Sequence, residues 1–347
     1  MKGGAWYLGN KLDEIETQIT KIKVPDFVKR LPRKIKDIKY WKASEFRNFL
    51  LYYSLPLFRD RLPKEYFQHW LLLVEAVTIL LKDAISDDEL NAAEIMLRSF
   101  VRDISPLYGD LCYTYNIHNL LHLCLLVRRW GNLWATSAFN FEGFNGYISS
   151  HIHGTKHLGK EFVIHVKITQ SVAILENIVN APPADAPRMH LLPSVTEFLG
   201  RPISVNSLDD VQKAALFQST LGTFVLHVRA KIKSVIYTTK LYDEDKKRAH
   251  SFIQFHSQIN DRVPFEYGEI LVFVIAGNGE LCCLVILFRI VHNDLFVHEE
   301  SRYTLRTLLP VTDSGKLIVF PVDQIVTKVL KVGNYLGLRP NSYEVNL

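Results

Sequence analysis

The sequence predicts an α+β protein with a mainly α-helical N-terminal half and a small β-rich barrel or sandwich domain after it. Apolar residues recur at helical spacing from Lys42 onward, whereas short β-branched and aromatic runs follow residue 217. Between them, the proline-rich stretch 180–193, "NAPPADAPRMHLLP", suits neither regular structure. We therefore expect four parts, which are residues 1–40, 41–179, 180–216 (a linker) and 217–347.

Residues 1–40 are expected to form a short amphipathic helix and a basic connector. Apolar residues from Leu12 to Ile22 recur at three- and four-residue steps until Pro25. The basic connector, residues 28–42, "VKRLPRKIKDIKYWK", carries seven lysines and arginines against one acid, Asp37. Such density attracts phosphate, serves as a nuclear import signal or forms a solvated linker, and the pattern leaves these alternatives open.

The region 41–179 is expected to be helical. Ser44 is a candidate N-cap, and the run 63–85 is apolar nearly all round, as in a helix at the centre of a layer. The segment "SDDE", Ser86–Glu89, is a capping box that begins a helix reaching about Ile104. A further helix is expected over about 111–130, and residues 147–179 also have a mostly helical pattern.

Strand-like segments dominate the last part of the chain. Seven β-branched and aromatic runs occur within about 110 residues and are separated by turns such as "DEDKK", "GNG" and "TDSG". This spacing predicts a small barrel or sandwich.

Composition restricts the class of protein. The longest apolar run, Trp70–Leu81, is too short to cross a bilayer, so we expect no membrane association. The four cysteines lie in apolar segments without CxxC spacing, which is typical of buried free thiols in a reducing compartment. Walker, dinucleotide-binding and nucleophile-elbow motifs are missing, which argues against ATPases, dehydrogenases and common hydrolases.

A single carboxylate, Glu142, lies in the aromatic and glycine-rich stretch "WATSAFNFEGFNGYISSHIHGT", residues 134–155. Two-metal phosphodiester cleavage needs several carboxylates, so the residue pattern alone leaves a catalytic role and a turn role both open. The following segment "HIHGTKH" contains His151, His153 and His157, for which metal binding, nucleic-acid contact and neither role remain open.

Several strings together resemble one known family. "VPDFVKRLPRKIKDIKYWKASEFRNFLLYYSLPLF", "LPKEYFQHWLLLVEAVTILL", "YTYNIHNLLHL" and "LWATSAFNFEGFNG" are similar, in order and spacing, to the C-terminal half of transposases of the CACTA-like group (CACTA, Mirage, Chapaev) and to the transposase domain-containing proteins of animals. The resemblance covers about residues 20–160, and the tail ending "RPNSYEVN" is similar to the tail of those proteins.

The resemblance implies a ribonuclease-H-like catalytic domain with a DDE triad, interrupted by a helical insertion that corresponds to residues 41–130. It implies that Glu142 is the third acid and a metal ligand. It further implies Mg²⁺ in an intact relative, a DNA substrate, strand transfer and a nuclear location.

Two departures from the family pattern limit what is expected of this chain. The strands that carry the two aspartates precede the matching region in the family, so we expect a truncated transposase with one of three acids and no cofactor of its own. The string "SEFRNF" also lacks the histidine that plant relatives have near this position. Too few carboxylates remain to hold two Mg²⁺ ions, so we expect no catalysis by the chain alone.

Binding is the activity that remains under this interpretation. The expected phosphate contacts are Lys29, Arg30, Arg33, Lys34, Lys36, Lys39, His151, His153, Lys156 and Lys160. A helical half without the first strands of a nuclease fold would expose an apolar face, which the missing nuclease half or a second copy would cover. The alternative is a domesticated, transposon-derived protein that binds DNA or chromatin without catalysis. A third possibility is that the β-rich tail, in which "EYGEILVFVI" and "LCCLVILFRI" resemble small chromatin-reader barrels, binds a histone or another protein.

Overall fold

A computed structural model of the chain describes residues 4–150, 152–154, 156–179, 196–219, 223–258, 263–291 and 307–341. The α+β class is confirmed, because helices prevail up to residue 179 and antiparallel strands prevail from residue 197. The chain divides into two compact units. The first comprises residues 1–132 and 195–346, and the second comprises residues 133–194.

Seven α-helices lie in the first part of the first unit, as far as the described residues extend. They are α1 (Leu12–Ile19), α2 (Ala43–Asn48), α3 (Ser54–Phe58), α4 (Lys64–Leu80), α5 (Asp87–Tyr108), α6 (Tyr115–Asn119) and α7 (Leu123–Trp130). A π-helical turn, Phe49–Tyr53, joins α2 to α3. Helix α4 has ten of its 17 residues buried, as its nearly continuous apolar sequence predicts, and it packs against α5.

The capping box predicted at Ser86 is present. The Ser86 hydroxyl accepts a hydrogen bond from the N–H of Glu89 at 3.2 Å, and the Glu89 carboxylate accepts one from the N–H of Ser86 at 3.1 Å. The helix continues through Pro106 to Tyr108, beyond the predicted end near Ile104. It ends at Gly109, whose φ of 90° favours glycine.

Helix α2 begins differently from the prediction. Lys42, and not Ser44, occupies the N-cap position, and its N–H donates to the Glu45 carboxylate at 2.9 Å. The carboxylate three residues into the helix therefore satisfies the N-terminal backbone, and the serine hydroxyl is not needed there.

Antiparallel sheets form the C-terminal part. The strands are β1 (Glu197–Phe198), β2 (Phe224–His227), β3 (Arg229–Ile232), β4 (Val235–Thr238), β5 (Phe252–His256), β6 (Phe265–Ala276), β7 (Leu281–Ile290), β8 (Leu308–Pro321), β9 (Ile325–Lys328), β10 (Leu330–Val332) and β11 (Tyr335–Gly337). The larger sheet has the order β10-β11-β8-β7-β6-β5-β9, with β2 also paired to β6, and the smaller has the order β1-β3-β4. The helices in this part are α10 (Asp210–Ser219) and α11 (Lys240–Asp243).

The predicted linker 180–216 contains regular structure among its described residues. Strand β1, the 3₁₀ turn Val205–Ser207 and most of α10 lie within it. The prolines of 180–193 lie outside the described residues.

The core of the larger sheet is built from both faces of β6 and β7. Phe255 and Phe320 stack on one face with ring centroids 4.4 Å apart, and Phe273 packs with them. On the other face, Val272 and Leu284 are fully buried beneath Leu216 of α10. Two covered faces explain why these strands read as continuous apolar runs.

The helices and the sheet of the first unit share an apolar cluster. Leu71 and Val74 of α4 pack against Leu308 of β8 and Tyr335 of β11. The side-chain amide of Asn341 donates to the Leu81 carbonyl at the end of α4, at 2.8 Å. The helical and β-rich regions of this unit therefore share one core.

The second unit contains α8 (Ala138–Ser150) and α9 (Leu158–Val179). Many of their apolar side chains are exposed, including Phe144, Val163, Ile164, Ile168, Val172, Ile174 and Leu175. None of the helices in the described ranges combines the length and apolar character needed to cross a membrane. Cys124, Cys282 and Cys283 are buried free thiols, and Cys112 is a half-buried one.

Candidate functional site

The basic connector follows α1 and is held to it at Lys36. The backbone N–H of Lys36 donates to Glu16 Oε1 at 2.7 Å, and its ammonium lies 2.7 Å from Asp13 Oδ1. The Asp13 side chain is almost fully exposed, so this ion pair adds little stability, whereas the bond to the buried Glu16 fixes the backbone. Lys36, a predicted phosphate contact, therefore has a partner within the protein.

Arg33 is held even more firmly. Its Nε and Nη2 each donate to the Glu45 carboxylate at 2.6 Å, and Nη2 also donates to the Tyr40 carbonyl at 2.6 Å. Burial would raise the pKa of Glu45, but the hydrogen bonds from Arg33 and from the Lys42 N–H lower it below its ordinary value. The predicted phosphate contact at Arg33 thus serves the fold of the connector through two of its three guanidinium nitrogens.

Four other predicted contacts are exposed cations without internal ion pairs. The side chains of Lys29, Arg30, Lys34 and Lys39 are exposed and make no hydrogen bond or ion pair in the described part of the chain. Arg30 also lowers the pKa of Glu45 through its charge, but none of the four forms an ion pair in the described residues, so these charges are available to an anionic partner.

An exposed aromatic side chain lies beside one of these cations. Tyr40 is 60% exposed, and the Lys39 ammonium lies 4.7 Å from the centroid of its ring. Phe46 is also exposed, with its ring 5.3 Å from that of the buried Trp41. Cations alternating with exposed aromatic faces are typical of surfaces on which nucleic-acid backbones and unpaired bases lie.

The start of the connector is attached to the β-rich part by Arg248. Its guanidinium donates to the carbonyls of Pro25 at 2.9 Å, Val28 at 2.7 Å and Lys29 at 2.7 Å. The backbone that carries Lys29 is therefore held by a side chain about 220 residues away in sequence. Sequence analysis missed Arg248, because a single arginine in a polar turn has no periodicity or spacing that marks it.

A buried lysine makes a second attachment. Lys328, 4% exposed, lies 2.7 Å from Asp26 Oδ2 and 3.3 Å from His250 Nδ1. Burial lowers the pKa of Lys328, although Asp26 opposes this shift, and burial together with Lys328 lowers the pKa of His250. A neutral His250 can accept the hydrogen bond from Lys328, so the three groups form one polar cluster under the connector.

Glu142 lies on α8 in the second unit and is exposed. No group of three or more His, Cys, Asp or Glu side chains converges as metal ligands would within the described ranges. One exposed carboxylate does not fit the ligand set of a two-metal centre, so no step of a reaction is assigned to Mg²⁺ in this chain.

The backbone of the segment after α8 is hydrogen-bonded to the side chain of Glu161. Its carboxylate accepts hydrogen bonds from the N–H groups of His153 at 2.9 Å and Gly154 at 3.2 Å, and these bonds lower its pKa. Lys156 and Lys160 are exposed nearby in sequence, whereas His151 lies outside the described residues. Two of the four predicted contacts in this unit are thus exposed cations.

Together these features define an α+β protein with an exposed cationic and aromatic surface segment. No protein-family model matches the sequence, and no curated protein matches it either.

Proposed function

We propose that the chain is the C-terminal portion of a CACTA-like DDE transposase that binds DNA in the nucleus and does not cut it by itself. The observation that supports this most is the basic connector, where Lys29, Arg30, Lys34 and Lys39 are exposed without ion pairs in the described residues and Lys39 lies against the exposed ring of Tyr40. Lysines and arginines in this arrangement displace counterions from phosphates, which supplies most of the affinity of nonspecific DNA binding.

Strand cleavage is not part of the proposed activity. Glu142 is the acid expected from the family resemblance, but the described part of the chain holds no group of three or more His, Cys, Asp or Glu side chains that could bind a metal ion. Metal-assisted cleavage depends on ligands that orient both the attacking and the leaving oxygen.

The proposed function assigns a role to each region. Residues 41–130 correspond to the helical insertion of a ribonuclease-H-like domain, α8 carries the third acid, and the β-rich part forms a small barrel or sandwich. The exposed apolar side chains of α9 correspond to a face that the nuclease half or a second copy covers.

DNA binding by the full chain tests this proposal through its dependence on salt. A fluorescence anisotropy titration with a 20-base-pair duplex is repeated at several NaCl concentrations. The variant Lys29→Gln, Arg30→Gln, Lys34→Gln, Lys39→Gln is expected to bind more weakly. A plot of log affinity against log salt concentration has a negative slope. For each phosphate that the variant no longer neutralises, this slope should become shallower by about 0.9.

A matched variant separates this surface from net charge. Lys231→Gln, Lys246→Gln, Lys247→Gln, Lys316→Gln also removes four exposed positive charges, but from the β-rich part. We expect it to retain nearly the affinity and salt slope of the wild type. Equal losses in both variants, or tight binding that does not change with salt, would contradict the proposal.

A further inference from the structure

A cavity of about 390 Å³ lies in the first unit between α11, the segment before α10, and strands β5 and β6. Its walls are largely apolar and include Leu208, Leu241, Phe252 and Leu271. Three acidic residues line it, Asp243, Glu244 and Glu269, and Glu269 of β6 is only 8% exposed. A buried carboxylate in an apolar cavity is costly unless a donor or a cation meets it, so its partners determine what the cavity accepts.

The internal partners of Glu269 are weak. The Ser251 hydroxyl is 3.5 Å from Oε1, at the long limit of a hydrogen bond, and the Lys240 ammonium is 3.8 Å from Oε2. Lys240 lines the cavity too, but its side chain is 62% exposed, so it reaches the carboxylate from the solvent edge. The carboxylate therefore retains capacity to accept hydrogen bonds.

Two other charged groups at the cavity, Asp243 and Lys23, already have partners, and the third acid there, Glu244, is exposed. The Asp243 carboxylate accepts from the Thr238 hydroxyl at 2.7 Å and from the N–H groups of His250 at 2.8 Å and Ser251 at 3.0 Å. The Lys23 ammonium donates to the carbonyls of Asp243 and Glu244 at 2.7 Å each. Glu269 is thus the buried acceptor that these internal contacts leave incompletely satisfied.

We propose that this cavity binds a primary alkylammonium group, whose nitrogen takes the place of Lys240 at the Glu269 carboxylate while its methylene chain lies against Leu208, Leu241 and Leu271. An ammonium supplies three donors and the positive charge that Glu269 lacks, and the methylenes bury against apolar walls. An anionic ligand is disfavoured by the same carboxylate. The lysine side chain of a partner protein and a free diamine both carry this group. The proposal does not depend on DNA binding.

The dependence on pH follows from the groups around Glu269. Burial raises the pKa of Glu269, while Lys240 of α11 and Lys331 of β10 lower it and Asp243 raises it further. Lys23 also faces the cavity. Since the ligand needs the ionised carboxylate, affinity should increase as pH rises through this raised pKa and decrease again only when the amine deprotonates, near pH 10.

Isothermal titration of the full chain tests the proposal with three probes: Nα-acetyl-lysine methylamide, butane-1,4-diamine, and the lysine amide acetylated on Nε. We expect saturable binding of the first two and none of the third, which lacks the charge. Glu269→Gln should weaken binding at least tenfold, whereas Glu280→Gln, an exposed acid at the start of β7, should leave it unchanged. Tighter binding of the lysine amide supports a protein lysine as the natural ligand, and tighter binding of the diamine supports a free amine.

Lys240→Gln gives a second test at an exposed position. Removing the competing internal ammonium should increase the affinity for both charged probes several-fold above the raised pKa of Glu269. The proposal is wrong if neither charged probe binds saturably, if the acetylated probe binds as well as the charged ones, or if Lys240→Gln weakens binding.

Discussion

Arg33 and Glu45 form the ion pair on which the fold of the basic connector depends most directly. Glu45 is 7% exposed and receives two bonds of 2.6 Å from the guanidinium. Arg33→Ala leaves this buried carboxylate without its strongest donor, so we expect a decrease in the free energy of unfolding. Urea unfolding at pH 7 measures it, and the double variant Arg33→Ala, Glu45→Gln should lose less than the sum of the single variants.

The same pair predicts a dependence on pH. Because the folded-state pKa of Glu45 lies below its ordinary value, the pair stabilises the fold fully above the ordinary glutamate pKa of about 4.3. That contribution disappears as pH falls through the lowered pKa. The stability difference between wild type and Arg33→Ala should therefore shrink in acid, whereas Lys39→Ala, which removes an exposed and unpaired cation, should change stability little at any pH.

The beginning of α5 is the element whose local sequence determines its structure most clearly. Ser86 and Glu89 cap each other across the first turn, so Ser86→Ala should cost about 1 kcal/mol. Ser44 offers a matched control, because its sequence context also suggests an N-cap but Lys42 occupies that position. Ser44→Ala should change the midpoint of thermal unfolding by much less than Ser86→Ala, and equal effects would show that the cap at Ser86 is not the cause.

Helices and strands that follow from a local sequence pattern could be predicted, whereas the contacts between residues far apart in the sequence could not. The apolar run of α4 and the β-branched runs of β6 and β7 identify buried segments by pattern alone. The pairing of Arg248 with the connector joins residues about 220 positions apart, and no local pattern encodes it. Among the predicted phosphate contacts, composition likewise did not distinguish the paired Arg33 from the unpaired Arg30, because Glu45 becomes the partner only after α2 forms.

At the scale of the molecule, the first unit joins the earliest and latest described parts of the chain. Lys23 donates to the backbone of α11 at Asp243, and Arg59 of the helical part bonds to the Tyr335 hydroxyl of β11. Helices α3 and α4 share their apolar cluster with β8 and β11. Removing the strands would expose this cluster, so the helical part of this unit requires the sheet for its stability.

The absence of cleavage by the chain alone is the prediction that concerns its activity as a whole. A supercoiled plasmid incubated with the full chain and 5 mM Mg²⁺ or Mn²⁺ should remain uncut, because the described residues contain no group of three or more side chains that could hold a metal and one acid cannot hold two metal ions. Binding to the same plasmid is measured by its retarded migration in a gel at low salt. This binding shows that the protein added is folded and able to bind DNA. The contrary result is metal-dependent nicking that persists through purification. If Glu142→Gln abolishes this nicking and the exposed-acid control Glu280→Gln does not, a complete metal centre forms around Glu142. The proposed non-catalytic role would then be wrong.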